Sequence, residues 1–197
     1  MCLFFDCIQL KDGYFKRLNY HQERANKALA EIFPEIKPFS LKSYLQQLEI
    51  PNQGLYKCKI TYNSSIQHIE FIPYQVKPIK TLKLVNTDIK SHPFKLVDRS
   101  SFTKFTEQRD TCDDVLLVRN GLLTDTSICN IALFDGSNWV TPRTPLIYGT
   151  NRAYLLEKGF VVEKDIFASH LANYQKITLF NALIDFQEII IDIDSIY

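Results

Sequence analysis

The sequence predicts an α+β fold with a mostly antiparallel sheet, divided into two unequal lobes. Strand-like segments joined by short turns indicate the sheet, because turns such as Asn120-Gly121 and Asp135-Gly136 are strong local signals of a hairpin. Few segments have helical spacing. Pro73 and Pro78 interrupt the strand pattern, since proline cannot serve the inner positions of a sheet. We therefore expect a small lobe over residues 1–76 and a larger lobe over 80–197.

The first lobe is predicted to contain two hairpins and two helices. Strands are expected over residues 3–10 and 14–18, and again over 56–62 and 66–72. Asn19 is predicted to be the N-cap of a helix over 20–33, and Ser40 the N-cap of a second helix over 41–48. The buried stripe of the first helix is predicted to comprise Tyr20, Ala28, Leu29 and Ile32.

The second lobe is predicted to open with a strand over 81–85, followed by a helix over about 100–108 with Asp98 or Ser100 as its cap. Two hairpins should follow, with strands at 115–118, 122–124, 131–134 and 138–141. Thr150 is expected to cap a helix that Gly159 ends, with a strand at 160–162 behind it.

Charge and cysteine content exclude several classes of function. The 23 Lys and Arg against 22 Asp and Glu leave a net charge of +1, without the basic surplus that nucleic acid or an anionic membrane requires. The apolar start meets an acid at Asp6 and lacks the pattern of a secretory signal, so we expect a cytoplasmic protein. The five cysteines show neither a CxxC pair nor zinc-ligand spacing, so no metal site is predicted.

Three segments could carry chemistry. The two-proline loop that ends at Gly149 and Thr150 leads into a helix start, where free N–H groups and the helix dipole favour an anion. Arg152 opposes that dipole, so an anion or an acidic partner nearby would explain it; otherwise it is a surface arginine on an ordinary helix. His21 and Arg24 share a helical face, which in most proteins is simply solvated.

Lys95 stands in an apolar context, Phe-Lys-Leu-Val at residues 94–97. A lysine removed from water loses its proton easily and can form a Schiff base.

Six segments follow one another along the chain: FDCIQ at 5–9, HQER at 21–24, Lys95, DTSICN at 125–130, the loop 141–152, and LFNAL at 179–183. In this order and spacing they resemble the motifs of the class IV aminotransferases, a family that uses pyridoxal phosphate. That family has Phe-Glu-Thr-Ile-Arg, His-x-x-Arg, a catalytic lysine, Glu-Gly-x-x-x-Asn, Thr-Pro followed by Gly-Ile-Thr-Arg, and Asn-Ala-Leu in its lyases.

The resemblance implies the two-lobed fold of D-amino acid aminotransferase and a set of roles at the cofactor. Lys95 would carry the cofactor covalently and move the substrate proton. Asp125 would pair with the ring nitrogen. The phosphate ligands implied are Arg24, the amides of Thr150 and Asn151, and amides near Asn181 and Ala182.

The chain departs from the family pattern in three places. It begins near Phe-Glu-Thr, so the family's first strands are expected to be missing. Asp125 stands where the family has Glu, and Gly149-Thr150-Asn151 replaces Gly-Ile-Thr.

The resemblance also implies a homodimer and a small amino substrate. The Asn-Ala-Leu stretch at 181–183 favours a lyase that splits 4-amino-4-deoxychorismate into 4-aminobenzoate and pyruvate. A transaminase of D- or branched-chain amino acids is the alternative enzyme. A non-catalytic relative is the alternative from another class, motivated by Asp125 and the shortened N-terminus.

Overall fold

The structure is a computed structural model that describes residues 3–91, 94–95 and 104–197. Its described residues form two compact units. The first contains the chain up to Val76 together with Phe94 and Lys95, and the second contains residues 77–91 and 104–197. The sequence placed Lys95 in the larger lobe, but the structure groups it with the first unit. The physical reason is that the Lys95 carbonyl accepts a hydrogen bond from Phe5 N at 3.0 Å and Phe94 packs in the core of that unit.

The first unit is built on an antiparallel sheet in the order β2-β1-β3-β4. Its strands are β1 Phe4–Lys11, β2 Tyr14–Phe15, β3 Leu55–Tyr62 and β4 Ile66–Pro73. Side chains alternate between the two faces of each strand, so Phe4, Ile8, Cys58 and Ile60 share the buried face. The two predicted hairpins are confirmed, although the strand expected at 14–18 ends at Phe15.

Two helices accompany this sheet: α1 Leu18–Ile32 and α2 Leu41–Leu45. The predicted cap at Asn19 is wrong, because Arg17 adopts the left-handed conformation (φ 55°) and starts α1 two residues earlier than expected. Ile32 is 38% exposed and not part of the buried stripe. Ser40 caps α2 as predicted, with its Oγ accepting from Ser43 N at 3.2 Å.

The second unit holds a larger sheet in the order β10-β9-β8-β7-β6-β5, with β11 pairing with both β8 and β12. The strands are β5 Leu82–Asn86, β6 Asp114–Arg119, β7 Leu122–Thr126, β8 Asn130–Phe134, β9 Trp139–Pro142, β10 Val162–Lys164, β11 Lys176–Phe180 and β12 Ile189–Asp192. The pairs β5–β6 and β9–β10 are parallel, and the others are antiparallel. The predicted α+β class with a mostly antiparallel sheet is confirmed.

Both predicted hairpin turns of this unit are present. Asn120 (φ 52°) and Gly121 (φ 77°) both take the positive φ that a tight hairpin turn requires. At the second turn, Asp135 Oδ1 accepts from Ser137 N at 3.1 Å and Asn138 N at 2.9 Å. This side-chain bonding explains why an Asp-Gly pair forms the turn.

Helix α3, Thr150–Glu157, follows the two-proline loop, and its N-cap is Gly149 rather than the predicted Thr150. The strand expected at 160–162 lies at Val162–Lys164. Residues 104–106 are helical and continue into a 3-10 turn at Glu107–Arg109, while the start of the predicted helix, with Asp98 and Ser100, lies outside the described residues. No helix within the described ranges is long and apolar enough to cross a membrane.

Candidate active site

A buried carboxylate organises the polar residues of the first unit. Asp6 lies on the apolar face of β1 and is 1% exposed. Its Oδ1 contacts His21 Nδ1 at 2.6 Å and accepts from Arg24 Nη2. Its Oδ2 accepts from the Tyr62 hydroxyl at 3.3 Å. The contacts therefore tie β1, α1 and β3 together at one side chain.

The charges of this cluster follow from burial and proximity. Burial alone would raise the pKa of Asp6, but the charge of Arg24 and the contacts of His21 hold that pKa well below its usual range. Burial lowers the pKa of His21, although Asp6 opposes the change. Burial also acts to lower the pKa of Arg24, but Asp6 outweighs it and the net shift is upward. At neutral pH the cluster thus pairs a carboxylate with a guanidinium beside a neutral imidazole.

One donor atom of the Arg24 guanidinium has no acceptor among the described residues. Its side chain is only 6% exposed, and its Nε is buried without a hydrogen-bond partner in the part of the chain that the structure describes. An unsatisfied buried N–H on a charged group is costly, so an acceptor from outside the chain would stabilise it; the Nε of Arg152 is in the same state.

Lys95 is half-buried and belongs to this unit. Its Nζ lies 5.7 Å from the centre of the Phe5 ring, and its positive charge contributes to the lowered pKa of His21. The structure therefore brings Lys95 into the neighbourhood of the His21 and Arg24 cluster.

The second unit contains a buried carboxylate of a different kind. Asp125, at the end of β7, is 4% exposed. Its Oδ1 accepts from Asn130 Nδ2 at 2.8 Å, and its Oδ2 accepts from Ile147 N at 2.9 Å. Among the described residues no cationic side chain makes an ion pair with it. Burial raises its pKa to about 6, against the opposing effect of the hydrogen bonds from Ile147 and Asn130.

Asn130 joins this carboxylate to the helix start. Its Nδ2 also donates to Ile147 O at 2.8 Å, so the amide spans the strand end and the loop. Its Oδ1 faces Gly149 so closely that a Cβ built on Gly149 would lie 2.0 Å from it. Only glycine leaves room for this approach.

The first turn of α3 is buried, with Thr150, Asn151 and Arg152 each no more than 3% exposed. Asn151 Nδ2 donates to Asn181 O at 2.8 Å and to Ile184 O at 3.2 Å. The first backbone N–H groups of a helix have no partner inside the helix, so this turn presents donors as well as a favourable dipole.

Arg152 has the acidic partner that its place in the first turn suggested. Its Nη2 donates to Glu163 Oε1 at 2.7 Å and to Pro142 O at 2.7 Å. Glu163 lies on β10, which pairs in parallel with β9 and so brings the carboxylate alongside the loop. Arg152 thus connects α3 to Pro142 at the end of β9 and to Glu163 on β10.

Comparison with known proteins decides the family. The model of the family described as amino-transferase class IV matches residues 3–190. The chain belongs to the class IV aminotransferase family. An uncharacterized protein of Haemophilus influenzae is 35% identical over 182 residues, covering 91% of this chain and 96% of the relative.

Two solved structures are similar to this chain. A crystal structure from Haemophilus somnus 129PT, provisionally assigned as a 4-amino-4-deoxychorismate lyase, is 34% identical with a TM-score of 0.86, covering 93% of this chain and 97% of that chain. A hypothetical aminotransferase from Mycobacterium tuberculosis in a PLP-bound form has a TM-score of 0.78 at 13% identity, covering 98% of this chain and 81% of its own. The latter shows the shared fold.

The predicted site residues fall into two groups, one in each unit. In the first unit, Arg24 lies in the Asp6 cluster with Lys95 nearby. The second-unit group consists of Asp125, Thr150, Asn151, Asn181 and Ala182. Within it, Asn151 contacts the turn at Asn181, and Ala182 is 8% exposed in the same turn.

Sequence reasoning assigned no role to four residues that organise these groups: Asp6, Tyr62, Asn130 and Ile147. Asp6 carried a detectable signal, because it interrupts the apolar face formed by Phe4, Ile8 and Leu10 on one side of a strand. Ile147 carried none, since it contributes only its backbone.

Proposed function

We propose that this chain is a pyridoxal-phosphate-dependent enzyme acting on a small amino compound, with 4-amino-4-deoxychorismate lyase activity. The observation that carries the proposal is the environment of Asp125. The hydrogen-bond donors to this buried carboxylate among the described residues are all neutral, namely Asn130 Nδ2 and the backbone N–H groups of Ile147 and Leu146, so the carboxylate is costly to ionise and its pKa is raised. A protonated ring nitrogen would supply the missing positive charge through a charge-assisted hydrogen bond.

The resemblance to the family implies several donors for the phosphate of the cofactor. We assign Arg24 as a ligand from the first unit, because its Nε is buried and without an acceptor among the described residues. From the second unit we assign the backbone amides of Thr150 and Asn151 at the start of α3. In the turn at Asn181 and Ala182 the Asn181 amide donates to Ile184 O at 3.1 Å, so the proposed contribution of this turn is the amide of Ala182.

Lys95 is the proposed attachment point for the cofactor aldehyde and the base that moves the substrate proton. It is half-buried in the first unit, and its Nζ lies close enough to the Asp6 cluster to act on the charge of His21. When bound, pyridoxal phosphate supplies an electron sink for the bond broken in the substrate. Asp125 would hold the ring nitrogen in its protonated form, which strengthens that sink.

Two features favour the lyase over a transaminase. The Haemophilus somnus relative, which is similar over 93% of this chain, carries a provisional lyase assignment. The Asn-Ala-Leu stretch at 181–183 resembles that of the lyases. The reaction would split 4-amino-4-deoxychorismate into 4-aminobenzoate and pyruvate without a keto acid acceptor.

The cofactor assignment is tested by colour and covalent trapping. The purified protein incubated with pyridoxal phosphate should turn yellow, and borohydride should bleach it and fix the label on Lys95. Lys95→Ala should abolish the label and the activity with the fold intact, while the matched control Lys90→Ala should retain both. Peptide mapping that places the label on another lysine would overturn the assignment, and a protein that stays colourless would support the non-catalytic alternative.

The activity is tested with substrate panels. Incubation with 4-amino-4-deoxychorismate should release 4-aminobenzoate and pyruvate in equal amounts with no acceptor added. A parallel panel of D- and L-amino acids with keto acid acceptors should give no turnover. Turnover in the second panel alone would make the protein a transaminase.

A further inference from the structure

We propose that Asp6 is a positioning residue that fixes the guanidinium of Arg24 for the cofactor phosphate. This inference rests on the proposed function, in which Arg24 is a phosphate ligand. Asp6 itself would not touch the phosphate. Its contribution would be to determine where the remaining donors of Arg24 lie.

The geometry gives Asp6 a rigid attachment. One oxygen contacts both Arg24 Nη2 and His21 Nδ1, and the other accepts from the Tyr62 hydroxyl. The carboxylate therefore cannot rotate without breaking a contact to β3. Because a guanidinium is planar with donors in a fixed arrangement, holding one Nη group also fixes the direction of Nε.

Charge alone would argue against this arrangement. A carboxylate beside an anion-binding arginine cancels its charge, and His21 is kept neutral by its burial. If Arg24 bound the phosphate only through net charge, the nearby Asp6 would weaken binding. The arrangement is favourable only when orientation matters more than charge, since a donor held in place loses less freedom on binding.

Three roles for Asp6 therefore make different predictions. A positioning role predicts that loss of the Asp6 contacts weakens phosphate binding. A purely electrostatic role predicts that removing the negative charge strengthens it. A purely structural role, in which Asp6 only compensates a buried charge, predicts lower stability with unchanged phosphate recognition in the protein that folds.

The experiment compares the dissociation constants of pyridoxal and pyridoxal phosphate for the cofactor-free full chain, measured by absorbance titration. Both compounds share the ring and the aldehyde. The dissociation constant of pyridoxal divided by that of pyridoxal phosphate therefore measures how much the phosphate contributes to binding, and a lower ratio means weaker phosphate recognition. Asp6→Asn should lower this ratio about tenfold, equivalent to one charge-assisted hydrogen bond. Tyr62→Phe, which removes one contact of Asp6, should lower it about threefold.

Tyr62→Phe is the decisive variant, because Asp6→Asn leaves a buried guanidinium unpaired and can prevent folding. Tyr44→Phe is its matched control: Tyr44 belongs to the same unit, packs on Phe39 and is 43% exposed. The control should keep the wild-type ratio. A wild-type or higher ratio in Tyr62→Phe would overturn the inference.

Arg24→Lys separates this inference from the proposed function. A fall in the ratio for Arg24→Lys confirms that Arg24 serves the phosphate, and the result for Tyr62→Phe then tests Asp6 alone. If Arg24→Lys leaves the ratio unchanged, the assignment of Arg24 fails and the role of Asp6 fails with it.

Discussion

At the scale of single residues, the two buried carboxylates differ in what neutralises them. Asp6 has an arginine, a histidine and a tyrosine, and its pKa is lowered. Asp125 has a side-chain amide and two backbone N–H groups, and burial raises its pKa to about 6. Burial is nearly the same for both, so the partners decide the direction of the shift.

This difference predicts how stability depends on pH. Between about pH 4 and 6, Asp125 is protonated in the folded chain and ionised in the unfolded chain, so stability should fall as pH rises through that window. A shift of about two pKa units corresponds to about 3 kcal/mol. Urea unfolding of the cofactor-free protein at pH 4.5 and 7 measures the effect.

The control for this prediction is Asp125→Asn, which cannot ionise. His21 titrates in an overlapping window with the opposite sign, because its pKa is lowered by burial. The difference between wild type and variant cancels that contribution and isolates Asp125. Parallel pH profiles in the two proteins would contradict the prediction.

Asp125→Asn also tests the proposed electron sink. Both oxygens of Asp125 accept hydrogen bonds, so an amide at this position would direct a donor at either Asn130 Nδ2 or Ile147 N. We expect turnover to fall by orders of magnitude, with a smaller loss of cofactor affinity because Arg24 and the α3 amides remain. Full turnover in the variant would exclude the role of Asp125 at the ring nitrogen.

At the scale of elements, Gly149 governs how the loop enters α3. An alanine there would drive its Cβ into Asn130 Oδ1, and the displaced amide would lose its contacts to Asp125 and Ile147. We predict that Gly149→Ala lowers the free energy of unfolding by about 1–3 kcal/mol and weakens cofactor binding. Chemical unfolding and an absorbance titration provide the two measurements.

The matched control is Gly159→Ala at the other end of the helix. Gly159 has φ +71° with open space where a Cβ would lie, so the expected cost is about 1 kcal/mol of backbone strain with unchanged cofactor binding. In the double variant Gly149→Ala/Asn130→Ala the steric conflict is gone. Its cost should therefore be less than the sum of the single variants, and strict additivity would show that the two residues do not clash.

Local chemistry explains which elements the sequence predicts well. The turns at Asn120-Gly121 and Asp135-Gly136 and the cap at Ser40 depend on neighbouring residues, and all three are present. The start of α1 was misplaced because Arg17 takes a left-handed conformation that its residue type does not indicate. The contact of Arg152 with Glu163 depends on the parallel pairing of β10 with β9, which no local pattern contains.

For the candidate site, too, the sequence does not predict contacts between residues that are far apart in the chain. The resemblance to family motifs named Arg24, Lys95 and Asp125, but the residues that hold them come from other strands and loops. Tyr62 reaches Asp6 across 56 positions of sequence, and Ile147 reaches Asp125 across 22. Such contacts become visible only when the register of the sheet is known.

At the scale of the whole molecule, the prediction concerns assembly. The second unit exposes several large apolar side chains, including Ile128, Tyr148, Phe160 and Phe167, each between 43% and 54% exposed. We predict a twofold homodimer, the commonest symmetry of soluble oligomers. Light scattering at micromolar concentration should give about twice the chain mass of 22.9 kDa, and a monomer mass across a dilution series would contradict it.

The Asn151 side chain has a consequence for how this protein can evolve. Its amide satisfies two carbonyls, of Asn181 and Ile184, that lie 30 and 33 positions further along the chain. Threonine, which the family pattern has at this position, is shorter and has no amide, so Asn151→Thr would leave both carbonyls without that donor. Position 151 and the turn at 181–184 are therefore expected to change together, because a substitution at position 151 removes a donor on which a turn 30 positions away depends.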